Sequence, residues 1–196
     1  MVSNVKPYEI LTGVGELYIA PTGTAYPLVD AVPGVAWRHL GYTQEGVTVK
    51  KSSKIEKVMV DQKTGPVKAA RAEEGLTIET QLAELTLENL ADYLGNTVTD
   101  TAAASGVAGT RSVGLYSGAV VKTFSLLFRG VSAYGAYPSQ YQVPMCYFDD
   151  DTEMKHEKGG KNATIKAAFE ALIDPDATVE AEEFGKLVMQ DAAALP

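Results

Sequence analysis

Along most of the chain, apolar and polar residues alternate with period two, the spacing of strands that put one face into a core. Gly15-Glu16-Leu17-Tyr18-Ile19 opens the pattern and Pro21-Thr22-Gly23 stops it. Residues 21–36 hold Pro21, Pro27, Pro33, Gly23 and Gly34. Proline fixes φ and has no N–H for a ladder, so this stretch predicts a long loop. Trp37 to Tyr42 predicts a short strand.

The stretch from Val47 to Leu82 predicts a long hairpin. Val47-Thr48-Val49-Lys50 begins it, and Ile55 to Val60 continues it with β-branched side chains. Asp61-Gln62-Lys63-Thr64-Gly65-Pro66 has the composition of a turn and places the tip near Gly65. Val67 to Ala72 resumes an extended pattern. Leu76, Ile78, Thr80 and Leu82 then share one face, opposite Thr77, Glu79 and Gln81. Arms this long and this polar exceed what one small core can bury.

One helix follows. Thr86 is a good N-cap, Glu88 suits the positive end of the macrodipole, and Gly95 is a natural C′ residue. Leu87, Leu90, Ala91 and Leu94 lie on one face and predict the docking surface. So short a helix would not persist alone in water. Residues 97–112 are small and polar and predict a surface loop. Strands resume near Arg111 to Tyr116 and at Val120 to Phe128, where Phe124, Leu126 and Phe128 share a face. Tyr134 to Pro138 is a break. Tyr141 to Phe148 reads as a strand, with Pro144 marking an edge or a bulge. Met154 to Glu157 reads as extended and Gly159-Gly160 as a turn. Ile165, Ala167, Phe169, Ala171 and Ile173 alternate with polar and small residues until Asp174-Pro175. Gly185 to Met189 predicts a final strand.

Many strands flank a single helix, and parallel crossovers would need several helices. The expected fold is mainly β: an antiparallel β-sandwich or barrel with one flanking α-helix. At 196 residues the chain suits one domain spanning 1–196, with a hairpin arm at about 47–82 and a surface loop at about 97–110. The N-terminal residues lack the basic-then-apolar layout of a signal peptide, and no apolar run approaches the ~18 residues of a membrane span.

Candidate chemistry is sparse. The only histidines are His39 and His156, and no Walker loop, HExxH or GxSxG elbow occurs. Gly13-Val14-Gly15 lies in the first strand, away from any βαβ unit. Asp149, Asp150, Asp151 and Glu153 could ligate a hard cation, or simply form a solvated acidic loop. The one cysteine, Cys146, sits in an apolar run and reads as a buried thiol. No cofactor and no metal are expected.

Charge changes the picture more. The formal net charge is −8, which argues against a protein that grips nucleic acid. Yet Lys50, Lys51, Lys54, Lys57, Lys63, Lys68 and Arg71 all fall in the hairpin, opposed by few acidic residues such as Glu56 and Asp61. Asp174, Asp176, Glu180, Glu182, Glu183 and Asp191 crowd the C-terminal segment, against Lys186 alone. Two readings of the lysines stand side by side. They meet an acidic partner surface, with the C-terminal segment as the natural complement, or they guard exposed strands against aggregation.

The stretch Gly46 to Gly95 resembles phage tail tube proteins, also called major tail proteins. The resemblance rests on the Gly-Val-Thr-Val strand, on Val58-Met59-Val60-Asp61 running to Gly65-Pro66-Val67, and on Leu76 to Leu82. It continues through Leu85-Thr86-Leu87-Glu88-Asn89-Leu90-Ala91. Ile165 to Pro175 is similar to a late strand of that family, and Gly-Val-Gly-Glu-Leu-Tyr-Ile-Ala-Pro near the start is also similar. The resemblance implies a non-enzymatic virion component, assembled in the host cytoplasm. Hexameric rings would stack into a tube, and one sheet per subunit would join an inner barrel. The implied partners are other copies of the chain and the tail terminator, tape measure and distal tail proteins, with no insertion into a membrane. Double-stranded DNA would be a transient cargo of the lumen.

On that reading the hairpin residues Lys50, Lys51, Lys54, Lys57, Asp61, Lys63, Gly65, Pro66, Lys68 and Arg71 are candidates for contact between subunits. The strand bearing Ile165, Ala167, Phe169 and Ala171 is a candidate for the inner sheet. A conduit must not hold DNA, so an acidic or neutral lumen is expected. The competing readings are a monomeric β-sandwich module that binds carbohydrate through some of its 10 tyrosines, and a hydrolase using His39 or His156.

Overall fold

The computed structural model describes residues 15–84, 86–116, 118, 120–149, 154–155 and 164–193. His156, Gly159-Gly160, Asp150, Asp151, Glu153 and the Gly13-Val14 pair lie outside them. The strands are β1 (Glu16–Pro21), β2 (Arg38–His39), β3 (Thr43–Val58), β4 (Lys68–Leu82), β5 (Thr99–Thr101) and β6 (Thr110–Ser112). They continue with β7 (Thr123–Val131), β8 (Pro138–Asp149), β9 (Met154–Lys155), β10 (Thr164–Ala171) and β11 (Lys186–Met189). The helix α1 (Leu87–Tyr93) lies between β4 and β5.

Nine strands form one antiparallel sheet, with the path β2-β1-β7-β8-β10-β4-β3, β11 added to β8 and β9 added to β10. In a flat sheet β1 and β4 would lie about 19 Å apart, four strand spacings. Yet Leu40 donates its N–H to the Leu17 carbonyl, and two residues later the Tyr42 carbonyl accepts from Ala83. Two residues span at most ~7 Å, so the sheet must curl until its ends nearly meet. It stops short of a closed barrel, because β2 and β3 pair with β1 and β4 and not with each other. The fold is therefore mainly β and antiparallel with one helix, and the barrel alternative does not close.

The curl encloses the core. Leu17, Ile19, Ile78, Leu82, Phe124, Leu126, Val143, Cys146, Ile165, Ala167, Phe169 and Ala171 converge there from five strands. Burial pushes the Cys146 thiol up to about 12. It is inert as a nucleophile, since the thiolate is the reactive form. Pro144 marks a bulge. Phe124 pairs with Cys146, but Leu126 pairs with Val143, so Ser125 faces two residues. Its hydroxyl donates to the Pro144 carbonyl at 2.8 Å. β8 is thus a central strand that tolerates proline by bulging, not an edge.

Two glycines are set by close approach. A Cβ on Gly15 would fall 2.1 Å from the Phe128 ring, which gives this glycine a packing role. Gly185 has φ +109°, and a Cβ there would meet the Gln142 carbonyl at 2.0 Å. It lets the C-terminal segment cross β8 at backbone contact. Residues 97–112 form more than a loop. β5 and β6 pair as a small separate hairpin, and Arg111 ties it to the helix by reaching Glu88 and Asp100, each at 2.7 Å. Alternating threonines, and not apolar residues, build this pair, so period-two hydrophobicity missed it.

The helix docks through a polar residue as well as apolar ones. Thr86 caps it by accepting from the Asn89 N–H at 3.2 Å. Leu90 and Ala91 are buried, while Leu87 and Leu94 are half-buried. Asn89 is buried too. Its amide donates to the Leu40 carbonyl at 3.0 Å and to the Glu84 carbonyl at 3.3 Å, and its Oδ1 accepts from Arg38 at 2.6 Å. Asp92 pairs with both Arg38 and Lys122. This network pins α1 over the corner where the sheet ends meet. Replacing Asn89 with Ala strands two carbonyls and should cost about 2–3 kcal/mol. Urea denaturation checks this, and a loss below ~0.5 kcal/mol would show that the corner does not depend on Asn89.

Candidate functional site: an exposed arm and the cleft at its base

β3 and β4 start in the core and leave it together. Their ladder runs from Thr43↔Leu82 to Val58↔Lys68. At the base, Val47, Val49 and Leu76 pack against the core and Ile78 lies within it. Beyond that point every residue from Lys50 to Glu73 is exposed. The turn spans residues 59–67 and is closed by Val67 N–H donating to the Val58 carbonyl at 3.0 Å. Gly65 and Pro66 sit in it. A bulge at Glu45-Gly46, both at positive φ, shifts the register where the arm leaves the sheet.

Both edges of this arm are open among the described residues. β3 pairs only with β4. β10 covers the other side of β4 only from Thr77 to Leu82, leaving residues 68–76 unpaired there. An apolar cluster is exposed near the tip. Ile55 and Met59 are more than half exposed, at 56% and 57%, and Val58, Val60 and Val67 join them.

The arm's charges are partly matched within it. Lys54 pairs with Glu73 at 2.8 Å, Lys51 with Glu74 at 3.6 Å and Arg71 with Glu74 at 2.5 Å. The complement expected from the C-terminal segment is therefore supplied, for these three cations, by β4 itself. Lys50, Lys57, Lys63 and Lys68 have no ion-pair partner among the described residues. Asp61 lies beside them at the exposed tip. The Glu73-Glu74 pairings depend on cross-strand register, which charge counting along the chain does not reveal.

Beside the base of the arm lies a cleft of about 700 Å³. It opens where β10 has ended and β4 runs on. One wall is β3 and β4, with Val49, Lys51, Arg71, Glu74 and Leu76; the other is β8 and the segment 180–187, with Val143, Phe184 and Leu187. A 3-10 turn at Glu180–Glu182 puts Glu180 and Glu183 along the rim. Lys186 is paired with Glu182 at 2.9 Å.

The strand β10 presents two faces. Ile165, Ala167, Phe169 and Ala171 are buried in the chain's own core. The opposite face carries Lys166 and Glu170, with Glu79, Thr77 and Gln81 beside them on β4. Tyr147 on β8 donates its phenol O–H to the Glu170 carboxylate. That hydrogen bond to a carboxylate raises the Tyr147 phenol to about 12.

His39 is an exposed strand residue whose Nδ1 accepts from the Gly41 N–H at 2.9 Å and whose ring meets Tyr18 edge-on. No group of three or more metal-ligating side chains occurs among the described residues. What the fold defines is a mainly β, antiparallel protein with a projecting arm. A family model described as phage tail tube protein matches residues 5–123, and the chain belongs to that family. It is a structural component of a phage tail tube and not an enzyme. No curated protein matches the chain significantly. Among the described residues no helix is long and apolar enough to cross a membrane.

The Tyr147–Glu170 contact makes a pH prediction. Its native pKa lies above the unfolded value of 10.0, so its contribution is full below pH 10 and is lost as pH rises through about 12. The difference between the absorbance titrations of the parent and Tyr147→Phe should show one phenol ionising near pH 12. A difference curve centred near 10 would show that Glu170 does not hold the proton.

Proposed function

We propose that this chain forms rings of six subunits that stack into the tail tube and conduct double-stranded DNA through the lumen. The observation that carries the reading is the arm: a strand pair with both faces and both edges exposed over residues 50–73. Exposed edges invite pairing with another chain, and a closed ring of subunits removes them. The outer edge of β3 and the uncovered edge of β4 are the pairing surfaces within a ring. The arm reaches between subunits, with Lys50, Lys57, Lys63 and Lys68 toward acidic partner surfaces. Copies at the ends of the tube meet the tail terminator, tape measure and distal tail proteins, and assembly proceeds in the host cytoplasm before the tube joins the virion.

The β4–β10 face opposite the core is the candidate lumen wall. There Ile165, Ala167, Phe169 and Ala171 back the sheet from behind, while Glu79, Glu170 and Lys166 face the channel. Acidic residues outnumber basic ones at these positions. DNA carries one charge per ~1.7 Å of axis, so a basic wall would retain it, while carboxylates repel it over ~8 Å at physiological salt. Glu79→Lys with Glu170→Lys should leave tubes intact but slow DNA ejection, with the effect relieved at high salt. Unchanged ejection kinetics would remove this face from the lumen.

The arm can be tested without disturbing the core. Ser52 and Gly75 are paired across the ladder, so replacing residues 53–74 with Asn-Gly closes a short hairpin at that point. The variant should keep a cooperative melt within a few degrees of the parent and should form no tubes in electron micrographs. Tubes of normal length from this variant would refute the arm's role.

A further inference from the structure

We infer that the cleft beside the base of the arm is the receptor for the arm tip of a second copy. The inference rests on the tube-subunit reading and names the partner surface that reading lacks. Three observations converge on it.

The cleft combines apolar side chains with charged ones. Val49, Leu76, Val143, Phe184 and Leu187 line it, and its volume of about 700 Å³ lies in the range of ordinary ligand pockets. Among the basic side chains on its walls, Lys51 and Arg71 share the one carboxylate of Glu74, and Lys186 is paired with Glu182. Glu180 and Glu183 have no ion-pair partner among the described residues, and with Glu74 and Glu182 they set four carboxylates against three cations.

The arm tip has the complementary chemistry. Val58, Met59 and Val60 are an exposed apolar run, and Val67 lies across from them. Lys57, Lys63 and Lys68 surround this run without ion-pair partners among the described residues. Apolar tip meets apolar cleft, and flanking lysines meet the rim carboxylates.

The tip cannot enter the cleft of its own chain. Lys51 lines the cleft, and Val58 lies further along the same β3 strand. Seven residues of strand hold the two about 23 Å apart. The occupant must come from another copy. Tip and cleft are different surfaces, so the contact is head-to-tail, the kind that propagates or closes by rotation.

The test mixes two singly substituted proteins, Met59→Cys at the tip and Ala181→Cys at the cleft, under mild oxidation during assembly. Cys146 is buried and stays out of the reaction. Cross-linked dimers should exceed by at least tenfold those formed by Met59→Cys with Val35→Cys, a cysteine on the exposed loop before β2. Comparable yields, or tubes without the Met59–Ala181 link, would overturn the inference while leaving the tube reading intact. Failure to form rings or tubes at all would overturn the tube reading and this inference with it. A charge exchange gives independent support: Glu180→Lys with Glu183→Lys should raise the assembly threshold about tenfold. Adding Lys57→Glu with Lys63→Glu should restore it to within about twofold. No rescue would count against the pairing.

Discussion

The structure turns on one strand that serves two environments. β4 pairs with β3 along its whole length, but β10 covers it only from Thr77 to Leu82. Where β10 stops, burial stops: Ile78, Thr80 and Leu82 are buried, while residues 68–73 are exposed. The arm, the open edge and the cleft all follow from this single mismatch in strand length. A two-stranded ribbon is marginal alone in water. Here it is held because its base shares a ladder with the core.

Charge cannot be what stabilises the arm within one chain. Its ion pairs lie at the surface, with exposed cations and a half-buried Glu74, and surface pairs are worth ~0–1 kcal/mol each. Their role is to settle which cations remain free. Glu73 and Glu74 pair with Lys51, Lys54 and Arg71 in the middle of the arm, and most of its lysines without an ion-pair partner among the described residues lie toward the tip. Among the described residues Glu180 and Glu183 beside the cleft have no ion-pair partner. The net charge of −8 thus conceals a basic arm and an acidic C-terminal segment. A net figure argues against tight DNA binding but says nothing of how copies meet.

Much of the architecture was legible in the sequence. Period-two alternation located β1, β7, β10 and the base of β4, where the strands bury apolar side chains, and turn composition near Gly65 located the tip of the hairpin. The Thr86 cap and the leucine spacing located α1. What escaped depends on contacts distant along the chain. Asn89 looks like a helix-surface polar residue until Leu40 and Glu84 are brought against it by the curled sheet. The cleft exists because β10 ends before β4 does, and strand ends are set by pairing, not by local pattern. The β5–β6 hairpin lacks apolar alternation altogether. Pro144 signalled a bulge correctly, but whether that strand was central or at an edge needed the sheet order. The residue pattern located the arm; only the register shows which of its lysines are already paired.

The central claim is that the arm is a surface awaiting another copy. Hydrogen–deuterium exchange measured on the free protein and on assembled tubes tests it most directly. Peptides covering residues 50–73 should exchange rapidly in the free protein and become protected by at least tenfold in tubes, while the β7–β8 core changes little. Equal exchange of those peptides in both states would contradict the account.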